Sequence, residues 1–473
     1  MLTTRRTQLR VVVIGGGITG LAAAWALRQR VGAAAALTVL EAAGRWGGKV
    51  ETHVMPGPEG GRFLADAGPE SFITRKREAW DLAHALGLQD RLIDPGSEAR
   101  NIYVLDAGRP LKVPLNPVDF VTSPLLTLGG KLRLLAEPFI PARRDDGDES
   151  LGEFASRRLG REAMEKFIGP ILAGIYNTDP ATQSLLTTSP VMREMEKENG
   201  SLVAGALARM QAKRRARARG EQLPPAFATF REGAQELVDA LVRRLSADLR
   251  CDLRLNAGAR RLRRIDDQYE IELAEGEPLL ADAVIVATPA NAAAGLLRDA
   301  APASAAGLAR IRHTDIGTLS LAYRSADVRL PFRLNGLMIP RREKRRIDAL
   351  TWTSAKMPDR APRGYELARV FFGAGAPAML TLDDAALLAA VRDELRALIG
   401  LEAAPIDYRV SRWPASFPQA DVGHLDRVDE IERRLPPGLF LAGSSYRGLG
   451  VPDCIRQGQA AAQRAAAVVT APA

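Results

Sequence analysis

The chain has 473 residues, and its 65 Lys and Arg against 56 Asp and Glu give a formal charge of +9. That length predicts two or three domains, and a composition of 46% hydrophobic and 26% charged residues excludes a disordered, fibrous or disulfide-stapled protein. The positive excess leaves three classes of partner open: nucleic acid, an anionic membrane and an acidic small molecule.

The cysteine and histidine residues do not indicate a metal site. Cys251 and Cys454 lie far apart, and none of the four histidines has a neighbouring ligand at metal-binding spacing. We therefore predict no metal ion and a cytoplasmic, reducing location. Arg5 and Arg6 precede an uncharged run over 11–27, as in a twin-arginine signal, but the glycines within that run would break a membrane-spanning helix.

The first predicted elements form a βαβ unit. A β-branched strand at Arg10–Ile14 leads into a glycine turn, a helix of strong helix formers, and a second strand at Leu37–Leu40 that ends in Glu41. The turn consists of Gly15, Gly16, Gly17, Ile18, Thr19 and Gly20. In a dinucleotide fingerprint the first glycine allows the turn, the second admits a pyrophosphate, and the third packs helix on strand. An acid such as Glu41 binds a ribose. The alternative is a strand-to-helix turn without a ligand.

A second glycine turn favours a flavin over a nicotinamide. Gly44 to Lys49 follows Glu41 directly and adds two cations beside the same phosphates. Because no other GxGxxG occurs in the chain, a reductase with separate flavin and nicotinamide domains is not expected. The electron acceptor would then be dioxygen or a quinone.

The middle of the chain contains apolar and basic segments. Phe120 to Ile140 combines aliphatic and phenylalanine residues with Lys131 and Arg133, so it could lie on an anionic bilayer or form a buried helix pair. The basic runs 213–219 and 341–346 could bind nucleic acid. With 5% aromatic residues and no stacking motif, we instead predict solvated faces and no nucleic-acid partner.

Later segments predict a second sheet and a terminal helix. Thr318–Tyr323 and Ala368–Phe372 read as strands, and 385–399 reads as a helix. Near the C-terminus a glycine-rich stretch leads to Val451, and Pro452 there suits the first turn of a helix whose free N–H groups favour an anion.

Several segments together resemble the flavin-containing amine oxidase superfamily. GGGITGLAAAW and EAAGRWGGKV carry that likeness. ADAGPESFITRK, GPILAGIYNTDP, TFREGAQELVDAL, VIVATPA and LAGSSYRGLGVPDCIRQG are similar to the bacterial-type porphyrinogen oxidases of haem biosynthesis, in family order and at family spacing.

The resemblance implies an α/β fold with α+β inserts. A discontinuous, Rossmann-like FAD-binding domain would span 1–75, 225–300 and 405–473. A helical, membrane-facing lobe would occupy 95–205, and a substrate-binding sheet domain would occupy 301–404.

The resemblance also implies site residues. The turn before the last helix would lie beneath the flavin pyrimidine ring, Lys49 would lie beside the phosphates, and Ala259 would contact the adenine end. The implied FAD contacts are Gly15 to Gly20, Glu41, Ala42, Lys49, Gly68, Pro69, Glu70, Ser71, Ala259, Ser444, Leu449, Gly450 and Val451. The implied substrate-pocket residues are Glu70, Ser71, Gly174, Ile175 and Tyr176.

Some features depart from the family. Glu70 stands where some members place an arginine for a substrate propionate, so another cation must act, with Arg75, Lys76 and Arg45 as candidates. The family's Pro-Gln-Tyr reads Pro418-Gln419-Ala420, which lacks the aromatic ring. No residue stands out as a general base.

The implied reaction is the six-electron oxidation of a porphyrinogen to a porphyrin in three flavin turnovers. Hydride would pass from a methylene bridge to the flavin, and dioxygen would accept the electrons with release of hydrogen peroxide. The substrate would be protoporphyrinogen IX or coproporphyrinogen III. A carotenoid desaturase or amine oxidase, or a non-catalytic basic flavoprotein, remains as an alternative, and the oligomeric state is not indicated.

Overall fold

The computed structural model describes residues 9–95, 101–114 and 117–470; Arg5 and Arg6 lie outside them. A five-stranded parallel sheet forms the first half, in the order Cys251–Arg254, Ala35–Leu40, Leu9–Ile14, Ala283–Val286 and Leu439–Leu441. Its central strand carries four consecutive buried residues, Val11 to Ile14, as expected for a strand covered on both faces.

Alternate side chains of that central strand enter two different cores. Val11 and Val13 pack under the helices Ile18–Val31, Gln235–Ser246 and Val451–Thr470. Val12 and Ile14 pack under a small antiparallel sheet and three helices on the opposite face, Ala290–Leu296, Pro302–Ala309 and His424–Arg433. This three-layer arrangement is the predicted Rossmann-like architecture, and the strands Leu9–Ile14 and Ala35–Leu40 contain the two strands predicted from the sequence.

A seven-stranded sheet forms the second half. Its order is Asp407–Pro418, His313–Arg324, Tyr365–Phe372, Ala349–Thr351, Gly336–Met338, Ile102–Asp106 and Arg109–Lys112. The helix Asp384–Ile399 covers one face through Leu387, Val391 and Leu395. The opposite face is turned toward the first half.

The seven-stranded sheet includes strands from outside the range expected for the substrate-binding domain. Ile102–Asp106 and Arg109–Lys112 lie in the range expected for the helical lobe, and Asp407–Pro418 lies in the range expected for the FAD-binding domain. We propose the three-part division as before, with these strands added to the 301–404 unit, because a strand belongs with the partners that satisfy its backbone.

The helical lobe packs around Leu151, Phe154 and Leu185. Its first long helix, Leu151–Leu159, begins with a capping box between Ser150 and Glu153 and ends at Gly160, whose φ of 94° favours glycine. The lobe's other helices are Pro117–Thr122, Leu128–Leu135, Arg161–Ala163, Gly169–Tyr176, Leu185–Thr188, Pro190–Asn199 and Leu202–Ala218, with a π-helical turn at Met164–Ile168.

The remaining elements connect these units. Additional helices are Glu78–Ala85, Ala290–Leu296, Pro302–Ala309, Thr353–Lys356 and His424–Arg433. The small sheets are Ala259–Ile265 with Gln268–Leu273 and Leu279–Ala281, Thr52–Pro56 with Arg62–Asp66, and Phe72–Ile73 with Phe227–Phe230 and Leu92–Ile93. A search of the helices in the described ranges finds none with the length and hydrophobicity needed to cross a bilayer.

Candidate functional site

In the glycine turn, an added Cβ atom would have room at Gly17 but would collide with neighbouring atoms at the other glycines. Gly15 has a φ of +111°, and a Cβ on it would lie 2.8 Å from the carbonyl oxygen of Ala287. A Cβ on Gly20 would overlap the carbonyl oxygen of Gly15, so the helix approaches the strand as closely as glycine permits. Around Gly17, by contrast, the nearest atom to a Cβ would be 3.9 Å away. The turn is therefore open where a pyrophosphate would approach.

Glu41 closes the other side of this turn. One oxygen of its carboxylate accepts a hydrogen bond from the backbone N–H of Gly16 at 2.7 Å, and the other accepts from Ala43 at 2.8 Å. Ala257 donates to the carbonyl of Glu41, and a Cβ on Gly258 would lie 3.3 Å from the Cβ of Ala42. The segment that leads into Ala259 thus lies beside Ala42, as the resemblance implies.

The two long helices of the first half begin at the same cavity. Ile18 at the start of one helix and Val451 at the start of the other both line it. The helices pack so closely that a Cβ on Gly458 would overlap the carbonyl oxygen of Thr19. Since helix N-termini carry free N–H groups and partial positive charge, the cavity suits an anionic ligand.

The cavity combines residues expected from the sequence with others that were not. Ile18, Pro69, Glu70, Ser71 and Val451 were implied by the resemblance. The remaining lining residues are Val50, Phe72, Thr229, Phe230, Ala234 and Leu237. The segment TFREGAQELVDAL contains four of these, but its residues were used only for the resemblance, because nothing in a single sequence shows that its strand and helix reach the cavity.

Lys49 and Ser444 lie close together. The ammonium of Lys49 donates to the carbonyl of Ser416 and lies 3.5 Å from the hydroxyl oxygen of Ser444. Burial lowers the pKa of Lys49. A Cβ on Gly68 would overlap the carbonyl oxygen of Lys49, so the chain crosses itself tightly here. The structure therefore brings together three residues that are distant in sequence and that the resemblance implied, and adds Ser416.

Three strands of the seven-stranded sheet bind the segment that precedes Glu70. The carbonyl of Ala67 accepts hydrogen bonds from Arg369 at 3.0 Å, from the indole N–H of Trp413 at 3.1 Å and from the hydroxyl of Thr318 at 3.3 Å. Arg369 also donates to the carbonyl of Gly68 at 2.8 Å. The second half thereby holds the Gly68 to Ser71 segment against the cavity.

Glu70 itself is buried and ionised. Burial alone would raise its pKa, but Lys356 at 3.3 Å and Arg369 at 3.2 Å lower the pKa of Glu70 below its ordinary value. Thr229 donates to its backbone carbonyl at 2.6 Å. Sequence reasoning singled out Glu70 but missed both cations, since each lies more than 280 residues away.

A second buried pair lies behind this segment. Asp66 accepts hydrogen bonds from the hydroxyl of Thr52 and the backbone N–H of Ala234, and its other oxygen lies 3.4 Å from Arg360, which has no exposed surface. Burial raises the pKa of Asp66 in spite of Arg360. The sequence contains no signal that would have paired these residues.

The turn into the last helix is fixed by Asp453. Lys76 binds both oxygens of its carboxylate, at 2.6 and 2.7 Å, and Arg456 binds one at 3.1 Å. Gly448 has a φ of +113°, and a Cβ on it would lie 2.7 Å from the Asp453 carboxyl carbon. These contacts set the path of the residues from Leu449 to Val451.

The GIYN segment lies against the seven-stranded sheet. A Cβ on Gly174 would lie 2.7 Å from the sulfur of Met338, and the buried Asn177 accepts a hydrogen bond from Gln419 through its carbonyl. The helix Gly169–Tyr176 includes Ile175 and Tyr176, but their side chains lie outside the described part of the structure. Of the three implied pocket residues in this helix, Gly174 is therefore the one whose surroundings the structure describes.

A family model described as flavin containing amine oxidoreductase matches residues 18–466. The chain belongs to this family. The resemblance seen in the motifs is confirmed, and the protein is a flavin-dependent oxidoreductase with FAD as its cofactor. The site fits that group, because two helices begin at the cavity with Ile18 and Val451, and the turn just before Ile18 has open space at Gly17 and the carboxylate of Glu41 bound to Gly16.

Individual relatives cover nearly the whole chain. A protein of Bacillus subtilis (strain 168) named coproporphyrinogen III oxidase is 33% identical over 95% of this chain and 96% of its own length. Protoporphyrinogen oxidase 2 of Arabidopsis thaliana is 28% identical over 96% of this chain and 93% of its own length. A crystal structure from Exiguobacterium sp. 255-15, assigned as a protoporphyrinogen oxidase, superposes with a TM-score of 0.82 at 29% identity, covering 96% of this chain and 98% of that one.

More distant structures share the fold alone. Cyclohexylamine oxidase from Brevibacterium oxydans IH-35A superposes with a TM-score of 0.67 at 18% identity, over 98% of this chain and 99% of that one. The predicted α/β fold with a Rossmann-like flavin half is thus confirmed.

Proposed function

We propose that this protein oxidises a porphyrinogen to the corresponding porphyrin in haem biosynthesis, with dioxygen as the electron acceptor. The observation that supports this most is the similarity to a coproporphyrinogen III oxidase, which is 33% identical to this protein over 95% of the chain. Six protons and six electrons leave the substrate, and three dioxygen molecules take them up to form three molecules of hydrogen peroxide. Coproporphyrinogen III is the first substrate to test, and protoporphyrinogen IX is the second because of the plant relative.

When bound, FAD supplies the two-electron redox chemistry. The residues of the chain bind it and exclude water from it. Glu41 and the Gly17 turn hold its dinucleotide part, while Val50, Phe230 and Leu237 form an apolar wall. Since the flavin carries out the chemical step, positioning of the substrate is the main task left to the protein.

The substrate would lie between the two halves. Gly174 packs against the sulfur of Met338 where the helical lobe meets the seven-stranded sheet, and Arg369 fixes the Gly68 to Ser71 segment between that sheet and the cavity. A large flexible macrocycle held beside these contacts would present a methylene bridge to the flavin. No described side chain is assigned as a general base.

The test combines cofactor and turnover measurements. The purified protein should contain FAD and, after anaerobic photoreduction, should be reoxidised by dioxygen. It should convert coproporphyrinogen III, protoporphyrinogen IX or both to a fluorescent porphyrin with release of three peroxides per porphyrin. FAD-containing protein that oxidises neither porphyrinogen would refute the proposal. Oxidation of a primary amine or desaturation of a carotenoid in its place would favour the alternative enzyme classes.

We also propose that the helical lobe contacts a membrane surface. Leu128, Leu132 and Leu135 lie along one face of their helix and are exposed, and Phe139 beyond them is 85% exposed. This exposure argues against a buried helix pair. The helix Leu202–Ala218 adds an exposed face that is apolar at first and basic toward its end. Apolar residues flanked by cations are typical of interfacial helices.

Liposome flotation tests this second proposal. The protein should float with vesicles that contain anionic lipid and less with neutral ones, and Phe139→Ser with Leu132→Ser should reduce flotation. Matched substitution of an exposed apolar residue outside the helical lobe, such as Leu249→Ser in the flavin half, should not. Equal recovery of the double variant and the parent protein would refute it.

A further inference from the structure

A substrate carboxylate would need a cation near the cavity. The candidates suggested by the sequence are engaged elsewhere or lie at the surface. Lys76 is held by both oxygens of Asp453, and Arg45 pairs with Glu51 at 2.9 Å and stacks on the ring of Trp413. Arg75 is exposed. Of these three, Arg45 reaches a residue that lines the cavity, through a 3.4 Å hydrogen bond to the backbone carbonyl of Val50, and its contacts with Glu51 and Trp413 already engage its guanidinium.

The charges around Glu70 do not balance. One carboxylate faces two cations, Lys356 at 3.3 Å and Arg369 at 3.2 Å, which leaves one positive charge in excess beside the cavity. A buried or half-buried charge without a counter-ion is costly, and an anionic ligand that pairs with it lowers that cost. The excess therefore indicates a place for one more anion.

The two cations differ in their free donors and in exposure. The side chain of Arg369 is 4% exposed, and it is bound to the carbonyls of Ala67 and Gly68 as well as to Glu70. The side chain of Lys356 is 30% exposed, and Glu70 is its one hydrogen-bond acceptor among the described residues. Because an ammonium group has three donors, Lys356 keeps donors for a second carboxylate.

The position of Lys356 is set by the sheet that faces the flavin half. It ends the short helix Thr353–Lys356, which follows the strand Ala349–Thr351 directly. Asn335, at the start of the adjacent strand, donates to the carbonyl of Ala355 and so holds this helix in place. The ammonium group is thus fixed between the seven-stranded sheet and the Glu70 segment, where the two halves meet.

We propose that Lys356 binds one propionate carboxylate of the substrate, and that Glu70 positions its ammonium group for this contact. The inference rests on the proposed function and adds the residue that recognises the acidic side chain. It also explains why a glutamate stands at position 70, where an arginine would meet the carboxylate directly. Here Glu70 binds Lys356, and the ammonium group of Lys356 supplies the positive charge that would meet the carboxylate.

The experiment compares Lys356→Met with Lys356→Arg on an acidic porphyrinogen and on its methyl ester. On the acid, Lys356→Met should raise KM about tenfold, with a smaller effect on kcat, and Lys356→Arg should recover most of the loss. On the ester, whose carboxylates are masked, Lys356→Met and the parent protein should have the same KM. Lys344→Met, a matched loss of an exposed lysine on the same half, should change neither value.

Each outcome is decisive. An equal rise in KM on acid and ester would show that Lys356 shapes the pocket without contacting a carboxylate, and an unchanged KM on the acid would also overturn the inference. FAD content and unfolding temperature, measured for every variant, separate a folding defect from a binding defect; Lys356→Gln, which also removes the charge, carries the test if Lys356→Met fails to fold. If the parent protein oxidises no porphyrinogen, the proposed function fails first.

Discussion

The pair formed by Asp66 and Arg360 allows a quantitative test of how the two halves are joined. Both side chains are almost wholly buried, and the guanidinium of Arg360 also donates to the hydroxyl of Thr229 at 3.0 Å and to the carbonyl of Arg231 at 3.1 Å. Arg360→Met keeps most of the side-chain volume and removes the charge. It leaves the Asp66 carboxylate buried with its hydrogen bonds from Thr52 and Ala234 but without a cation.

Loss of one partner of a buried ion pair costs about 3 to 5 kcal/mol of unfolding free energy. For Arg360→Met we expect this range, because three contacts are lost and both side chains are buried. Asp66→Asn combined with Arg360→Met should restore at least half of it, since the amide oxygen still accepts from Thr52 and Ala234 while no charge remains buried.

The pH dependence of the unfolding free energy shows whether the loss in Arg360→Met is electrostatic. Burial raises the folded-state pKa of Asp66, so ionisation costs stability from the unfolded pKa, about 4, up to the folded pKa. Removing Arg360 raises the folded pKa further. The deficit of Arg360→Met relative to the parent protein should therefore be larger at about pH 8 than at about pH 5, and that of the double variant should be equal at both. Urea unfolding at both pH values measures this, and a deficit independent of pH would refute the electrostatic explanation.

Three further predictions concern the cofactor site. Gly20→Ala, whose new Cβ would overlap the carbonyl oxygen of Gly15, should lower the flavin-to-protein ratio of the purified protein severalfold, while Gly295→Ala, which has open space, should not. Glu41→Gln replaces a charged acceptor with a neutral one, so FAD should dissociate about tenfold more readily on dilution; unchanged retention would exclude Glu41 from binding. Lys76→Met leaves Asp453 with Arg456 alone and should cost about 1 to 3 kcal/mol, with Lys76→Arg close to the parent in urea unfolding.

The elements nearest the N-terminus were the most predictable. The strand, glycine turn and helix from Leu9 to Val31 follow from β-branched residues, glycines and helix formers that act over a few residues. The helix Asp384–Ile399 was likewise evident from its apolar spacing. Local patterns of this kind depend on neighbouring residues and can be recognised in one sequence.

The membership of strands in sheets was less predictable. Ile102–Asp106 pairs with Gly336–Met338, more than 200 residues further along, so it joins the seven-stranded sheet although the sequence predicts a helical lobe over 95–205. Strand pairing depends on contacts between distant segments, and hydrophobic patterning alone does not name the partner.

The sequence by itself determined the family, the flavin cofactor and the glycines and acid that would hold it, because these reside in short motifs whose residues act together locally. It also identified Glu70 as a departure. The tertiary structure decided what that departure means, since Lys356 and Arg369 reach Glu70 from strands and helices far along the chain. The net charge of +9 suggested an acidic partner, and folding decided which cations are paired and which one keeps donors free, because ion pairing depends on distances that the linear order of residues does not contain.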